Sequence, residues 1–128
     1  MTREEKITLV YRLSGTDPRK CMKCGKCSGR CPAGTDMDLA PNQFVGLLLK
    51  GNFEKMASSR AIWNCLSCMA CAERCPRGVS PVSIIEAVRT VVVREQGKNG
   101  IKAEEIPPLV DENVPQQLFV SAYRKYNK

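Results

Sequence analysis

Apolar residues recur at helical spacing along most of the chain, and no stretch shows the strict alternation of a half-buried strand. Near the start, Thr2 followed by Glu5 fits a capping box, with Glu4 and Glu5 in the first turn, where the helix dipole favours acids. Ile7, Val10, Tyr11 and Ser14 then share one side, Leu9 and Leu13 lie beside it, and Ser14-Gly15 ends the run. This predicts a helix that covers a core. TDPRK, residues 16–20, reads as a turn. Between Ala33 and Asn64 the pattern is again mostly helical. Pro41 suits a first turn, and Phe44, Leu47 and Leu48, widened by Val45 and Leu49, form an apolar stripe read as core. Lys50-Gly51-Asn52 stops that helix, Asn52 caps a short one through Glu54, Met56 and Ala57, and Ser59 offers another start before Ile62 and Trp63.

Ser80-Pro81 is a cap followed by proline at the first helical position, and a helix is predicted from Pro81 to about Gln96, closed by Gly97. Val82, Ile85, Val88 and Val92 mark one face, flanked by Ile84 and Val91. So many β-branched residues make a poor isolated helix, and tertiary packing must hold it. KNGIKAEEIPPLVDENVP is proline-rich, charged and without period, which predicts an extended arm. Pro115 to Lys128 predicts a terminal helix with Leu118, Phe119, Ala122, Tyr123 and Tyr126 on a broad apolar face. The pattern as a whole predicts an all-α protein.

Composition sharpens this. A chain of 128 residues has the length of one domain, and with only 5% aromatic residues its core is modest. Bound metal centres would offset that shortage by tying distant segments together. The opening MTREEKITLV has no apolar signal region, which sets the expectation of a reducing, cytoplasmic location where thiols stay available for metal. Apolar runs such as Phe44–Leu49 fall far short of the roughly 20 residues that cross a bilayer, so no membrane insertion is expected.

The eight cysteines carry the chemistry, and the chain has no histidine. All eight fall in two copies of one motif, CMKCGKCSGRCP at 21–32 and CLSCMACAERCP at 65–76, each C-x-x-C-x-x-C-x-x-x-C-P. A cubane cluster presents four irons, each needing one outer thiolate. Three cysteines at two-residue steps let a tight loop reach three corners, whereas the fourth lies about one helical turn on and points elsewhere. The proline after it turns the chain. Zinc in Cys₄ sites usually unites two C-x-x-C pairs from separate segments and fits this run poorly. Two 4Fe-4S clusters are therefore the expected cofactors. In bacterial two-cluster ferredoxins with this run, the fourth cysteine ligates the other cluster. Carried over, that rule assigns Cys21, Cys24, Cys27 and Cys75 to cluster 1, and Cys65, Cys68, Cys71 and Cys31 to cluster 2.

Clusters also change the meaning of the charge. The formal net charge of +7 invites a nucleic-acid reading, but eight thiolates and two oxidised cores, each formally 2+, bring it to about +3. No nucleic-acid partner is expected. Arg19, Lys20, Lys23, Lys26 and Arg30 surround the first motif and admit three readings: a solvated face, a device favouring the reduced cluster, or a docking patch for an acidic partner.

The helical linker between Cys31 and Cys65 departs from bacterial ferredoxins and resembles the α-helical ferredoxin class. Within it, CMKCGKCSGRCP, the Gly51-Asn52-Phe53-Glu54 turn, IWNCLSCMACAERCPRGV and the following helix with Arg89 resemble the C subunit of heterodisulfide reductase, over roughly residues 17–96. Related helical domains occur in the iron–sulfur subunits of succinate dehydrogenase and anaerobic glycerol-3-phosphate dehydrogenase. An arm plus helix over 98–128 lies outside the resemblance and is expected to dock a partner subunit, whereas the resemblance implies an α-helical ferredoxin domain, with its N-terminal helix over 1–97. It implies an electron relay between a flavin-containing A-type subunit and a cysteine-rich B-type subunit that reduces a disulfide or similar acceptor. The chain lacks Cys-Cys-Gly motifs and a glycine-rich dinucleotide fingerprint, so no catalysis of its own is expected. The alternatives are a free-standing ferredoxin-like carrier and an iron–sulfur subunit of a succinate or glycerol-3-phosphate dehydrogenase-like complex.

Overall fold

The computed structural model describes residues 2–94, 104 and 107–126, except the side chains of 109 and 122–126. By internal contact the chain divides into two units, Met1–Val93 and Arg94–Lys128. Among the described residues there are helices and turns and no strand. No helix among them is long and apolar enough to cross a membrane.

The first unit begins with α1, Arg3–Ser14, whose capping box is formed in both directions: Thr2 Oγ1 accepts from the Glu5 N–H, and Glu5 Oε2 accepts from the Thr2 N–H at 2.7 Å. Gly15 ends it at φ 60°, a left-handed cap. A 3₁₀ turn, Pro18–Lys20, is started by the Asp17 side chain and leads into the first cysteine. After the first motif's short helix α2, Lys26–Gly29, comes α3, Pro41–Leu49, with proline at its first position. Gly51, at φ 64°, closes α3 with two backbone bonds, Asn52 N to Leu47 O and Gly51 N to Leu48 O, both 3.0 Å. Arg3 Nε donates to the Gly51 carbonyl at 2.8 Å and fastens the N-terminal helix to this turn. Asn52 then caps α4, Phe53–Ser58, and α5, Ala61–Asn64, leads into the second motif.

Residues 33–40 are turns, although the linker as a whole reads as mostly helical. The physical reason is local. Ala40 precedes proline and is extended at φ −70°, ψ 154°, as the proline ring requires. Asp38 Oδ1 accepts from Ser59 Oγ at 2.7 Å and from the Ala61 N–H at 2.9 Å. Its side chain therefore caps α5 from a distance and pins the turn.

Past the second motif's short helix α6, Ala70–Arg74, the chain enters α7, Pro81–Val93. This helix is the axis of the unit, packed by α1, α3, α4, α5 and α6. Val82, Ile84, Ile85, Ala87, Val88 and Val91 are buried, so the apolar surface is wider than the single face its periodicity marks. Burying a valine or isoleucine side chain contributes about 1.5–3 kcal/mol. That exceeds the roughly 0.5 kcal/mol each loses in helix propensity, and burial is what makes this β-branched segment a helix. Val10, Phe44, Leu48, Phe53, Met56 and Ile62 complete the core. α7 ends at Val93, with Arg94 already outside the helix and short of the predicted end near Gln96; Gln96, Gly97 and most of the arm lie outside the described residues.

The second unit holds a 3₁₀ turn, Pro107–Leu109, and α8, Gln116–Tyr126, started by Pro115 as its sequence predicts. Leu118 and Val120 on α8 are exposed. Ala122, Tyr123 and Tyr126 of its expected apolar face lie outside the described side chains.

Candidate metal centre

The two cysteine motifs fold alike, 44 residues apart. Each is a loop followed by a short helix, and the two helices, α2 and α6, pack against one another. In the first loop Lys23 has φ 57° and Gly25 φ 75°; at the same places in the second, Ser67 has φ 54° and Met69 φ 64°. Glycine adopts this backbone freely. For Lys23, Ser67 and Met69 it costs about 1–2 kcal/mol each. Such strain persists where surroundings impose it, and it clusters at functional sites. A left-handed residue immediately before a right-handed helix turns successive backbone N–H groups to one side, making a concavity suited to an anion such as an iron–sulfur centre.

The loops and helices shape two cavities. Cys21, Cys24, Cys27 and Cys75 line one, together with Met22, Gly25, Asn42, Val45, Val79 and Pro81, around a space of about 340 Å³ that includes its open mouth. Cys65, Cys68, Cys71 and Cys31 line the other, of about 330 Å³, with Met37, Pro41, Leu66, Met69, Val82 and Ile85 among its walls. Each cavity takes three cysteines from one motif and one from the other. All eight are free thiols. They ring their cavities, and among the described residues no group of three or more metal-ligating side chains converges on a single-ion site.

The donor chemistry fits iron–sulfur cores. In the first set, the Lys23 N–H donates to Cys21 Sγ at 3.4 Å and the Val79 N–H to Cys75 Sγ at 3.3 Å. Ser28 Oγ lies 3.9 Å from Cys27 Sγ, and hydrogen bonds to ligand sulfur are among the means by which a protein sets cluster potential. In the second set, Cys31 Sγ lies 3.8 Å from the Met37 thioether, a softer and less polar neighbour. Burial pushes the Cys27 and Cys71 thiols up from their usual pKa. Metal ligation reverses that, because it requires the thiolate.

Long-range hydrogen bonds fix both loops. Ser28 Oγ donates to Asn42 Oδ1 at 2.7 Å and accepts from the Asn42 N–H at 3.2 Å, so the first motif caps the first turn of α3. In the second, the Arg89 guanidinium reaches from α7 to the carbonyls of Ile62 and Cys65 and to Ser67 Oγ, the last at 3.2 Å. Asn64 Nδ2 donates to the Asp36 carbonyl at 2.8 Å, tying together the segments that carry Met37 and Cys65. Sequence reasoning assigns no site role to Ser28, Asn42, Met37, Ser67 or Met69. Aligning the two motifs is the signal that finds Ser67 and Met69, which occupy the places of Lys23 and Gly25.

The surroundings of the two cavities differ. Lys20, Lys23, Lys26 and Arg30 are exposed, whereas Arg19 is engaged by Asp17 at 2.9 Å, which holds the Asp17 carboxyl below its usual pKa. Lys23, Lys50 and Lys55 line an open groove beside Cys21 that has no acidic residue in its walls. At the second cavity the exposed side chains are apolar: Leu66 at 67% and Met69 at 46%, with Trp63 at 56% just before Cys65.

Comparison with known proteins agrees with this chemistry. The chain is 37% identical over 87 residues to the C subunit of the ferredoxin:CoB-CoM heterodisulfide reductase of Methanosarcina acetivorans, covering 68% of this chain and 33% of that protein. Over 91 residues it is 34% identical to the C subunit of the enzyme of the same name from Methanosarcina mazei, covering 71% of this chain and 56% of the relative. The iron–sulfur C subunit of the CoB–CoM heterodisulfide reductase of Methanopyrus kandleri is 33% identical over 75 residues, 59% of this chain and 39% of its own. The chain thus spans between a third and rather more than half of these curated relatives. Its cysteine motifs lie within residues 17–79, which match the 4Fe-4S dicluster domain family, and its cofactors are two 4Fe-4S clusters.

Proposed function

We propose that the chain is a non-catalytic electron-transfer subunit that relays electrons between two partner proteins. In this reading Cys21, Cys24, Cys27 and Cys75 hold one cluster and Cys65, Cys68, Cys71 and Cys31 the other. The observation that carries it is the pair of cavities, each ringed by three cysteines of one motif and one of the other. When bound, the clusters supply one-electron carriers. The chain's own residues do the rest. The crossed cysteines lock the sites together, and α2 and α6, which carry Cys27 and Cys71, pack against one another.

The partners proposed are a flavin-containing A-type subunit and a cysteine-rich B-type subunit that reduces a disulfide or similar acceptor, within one cytoplasmic complex. Two features support distinct partners at the two ends. The lysine-lined groove beside Cys21 suits an acidic surface, and the exposed Trp63, Leu66 and Met69 suit an apolar one. Residues 98–128 are assigned to docking one of these subunits, because their apolar helix and arm are more than a lone carrier needs.

Co-expression with the proteins encoded beside it, followed by anaerobic sizing, tests this. The expected result is a stable complex in which this chain is reduced and reoxidised by its two neighbours. A stable monomer that exchanges electrons with unrelated enzymes would instead establish a free-standing carrier.

A further inference from the structure

Arg89 is the half-buried cation of the core helix, and its hydrogen bonds are unusual in their targets. It donates to the carbonyls of Ile62 and Cys65 and to the Ser67 hydroxyl, all neutral acceptors in the segment that enters the second cysteine loop. Among the described residues the one ion pair within 4.0 Å joins Arg19 and Asp17, so no described carboxylate pairs with Arg89. Glu86, one turn earlier on α7, is exposed and does not reach it. Asp38, the acid held nearby in the linker, is bound to Ser59 and Ala61. A guanidinium taken partly out of water is normally paired, because leaving it alone is costly.

The position explains the exception. Two of the three acceptors, Cys65 and Ser67, flank Leu66, and Cys65 is a wall of the second cavity. Val82 and Ile85, on the same helix as Arg89, are walls of it too. An oxidised 4Fe-4S core with four thiolates carries formally about two negative charges, and about three after it accepts one electron. We propose that the second cluster is the counter-ion of Arg89, and that Arg89 both holds the Cys65–Ser67 loop in its left-handed shape and raises that cluster's reduction potential.

The inference rests on the reading of Cys31, Cys65, Cys68 and Cys71 as one ligand set. It adds that the cation favours the extra negative charge of the reduced state. The first set has a different arrangement, with backbone N–H groups on Cys21 and Cys75 and lysines exposed to solvent, where salt screens them. The two clusters are thus tuned by different means, one by hydrogen bonds to sulfur and one by a sheltered charge.

The test is an anaerobic redox titration, followed by electron paramagnetic resonance, of the reconstituted holoprotein carrying Arg89→Gln or Arg89→Lys. Both are made with and without Cys24→Ala, a change that leaves the second cluster as the intact titrating cubane. Arg89→Gln is expected to lower the second cluster's ratio of reduced to oxidised form at fixed potential about tenfold, a shift of about 59 mV for one electron. Arg89→Lys keeps the charge without the guanidinium fork and should retain most of the parent potential. A glutamine variant that fails to load the second cluster while the lysine variant loads it also supports the charge role. Equal potentials in all three loaded proteins overturn the inference, as does failure of both variants to load, which would leave Arg89 a fastening residue only. If the parent protein itself lacks iron and sulfide, the functional reading fails instead, and iron analysis separates that outcome.

Discussion

Pairs of cysteine substitutions decide which thiols share a cluster, and the two possible pairings give opposite results. Cys31 lies in the first motif by sequence but lines the cavity of Cys65, Cys68 and Cys71. Cys24 and Cys68 occupy equivalent places in the two motifs and are both exposed, so replacing them disturbs little besides ligation. A full protein should hold about eight irons, four per cubane, and loss of one cluster leaves about four. If Cys31 serves the second cluster, Cys31→Ala with Cys68→Ala removes two ligands from the same cluster, and about four irons remain. Cys31→Ala with Cys24→Ala removes one from each and leaves almost none. Substitutions in one site are non-additive and those in separate sites add, which is the logic of a double-mutant cycle. If each motif served its own cluster, the two double variants would exchange results. Iron and acid-labile sulfide counts on anaerobically reconstituted protein provide the assay, with visible absorbance as the check on cluster type.

Two further outcomes follow from packing and capping. Val88 is fully buried on α7 and Val93 is 59% exposed at its end, so Val88→Ala should cost about 2 kcal/mol, and Val93→Ala should stay within about 0.5 kcal/mol; helical circular dichroism in denaturant on equally loaded proteins measures the difference, and equal losses would mean that α7 is not the axis of the core. Asp38 is held below its usual carboxyl pKa chiefly by the Ser59 hydroxyl and then by the Ala61 N–H. Its folded-state pKa is depressed, so its contribution is present above the ordinary aspartate range and is lost as pH falls through the folded value. Asp38→Asn should therefore flatten the acid limb of the stability profile relative to the parent, and a parallel limb would contradict this.

Signals in the sequence are legible where the chemistry is local. The Thr2–Glu5 box, Pro41, the Asn52 cap and Ser80-Pro81 each act within one turn of chain, and each starts the helix expected of it. The cysteine spacing is equally legible, because the ligand motif is contained in twelve residues. What escapes depends on chain that returns from elsewhere. The turns at 33–40 are pinned by Ser59 and Ala61, more than twenty residues later. Ser67 and Met69 carry no glycine to announce a left-handed backbone, which their surroundings impose. Ile62 and Trp63 are neighbours of similar hydrophobicity, yet one is sealed in the core and the other faces out, because α5 turns only one side toward α7. Arg89 can be noticed in the sequence as part of a familiar helix, but its role needs the three acceptors that the fold brings to it.

The central claim is that the doubled motif holds two four-iron cubanes. Metal and acid-labile sulfide analysis of the anaerobically purified chain tests it most directly. About eight irons and eight sulfides per chain are expected, in a brown protein that bleaches on reduction. A colourless protein containing zinc and no sulfide would contradict it.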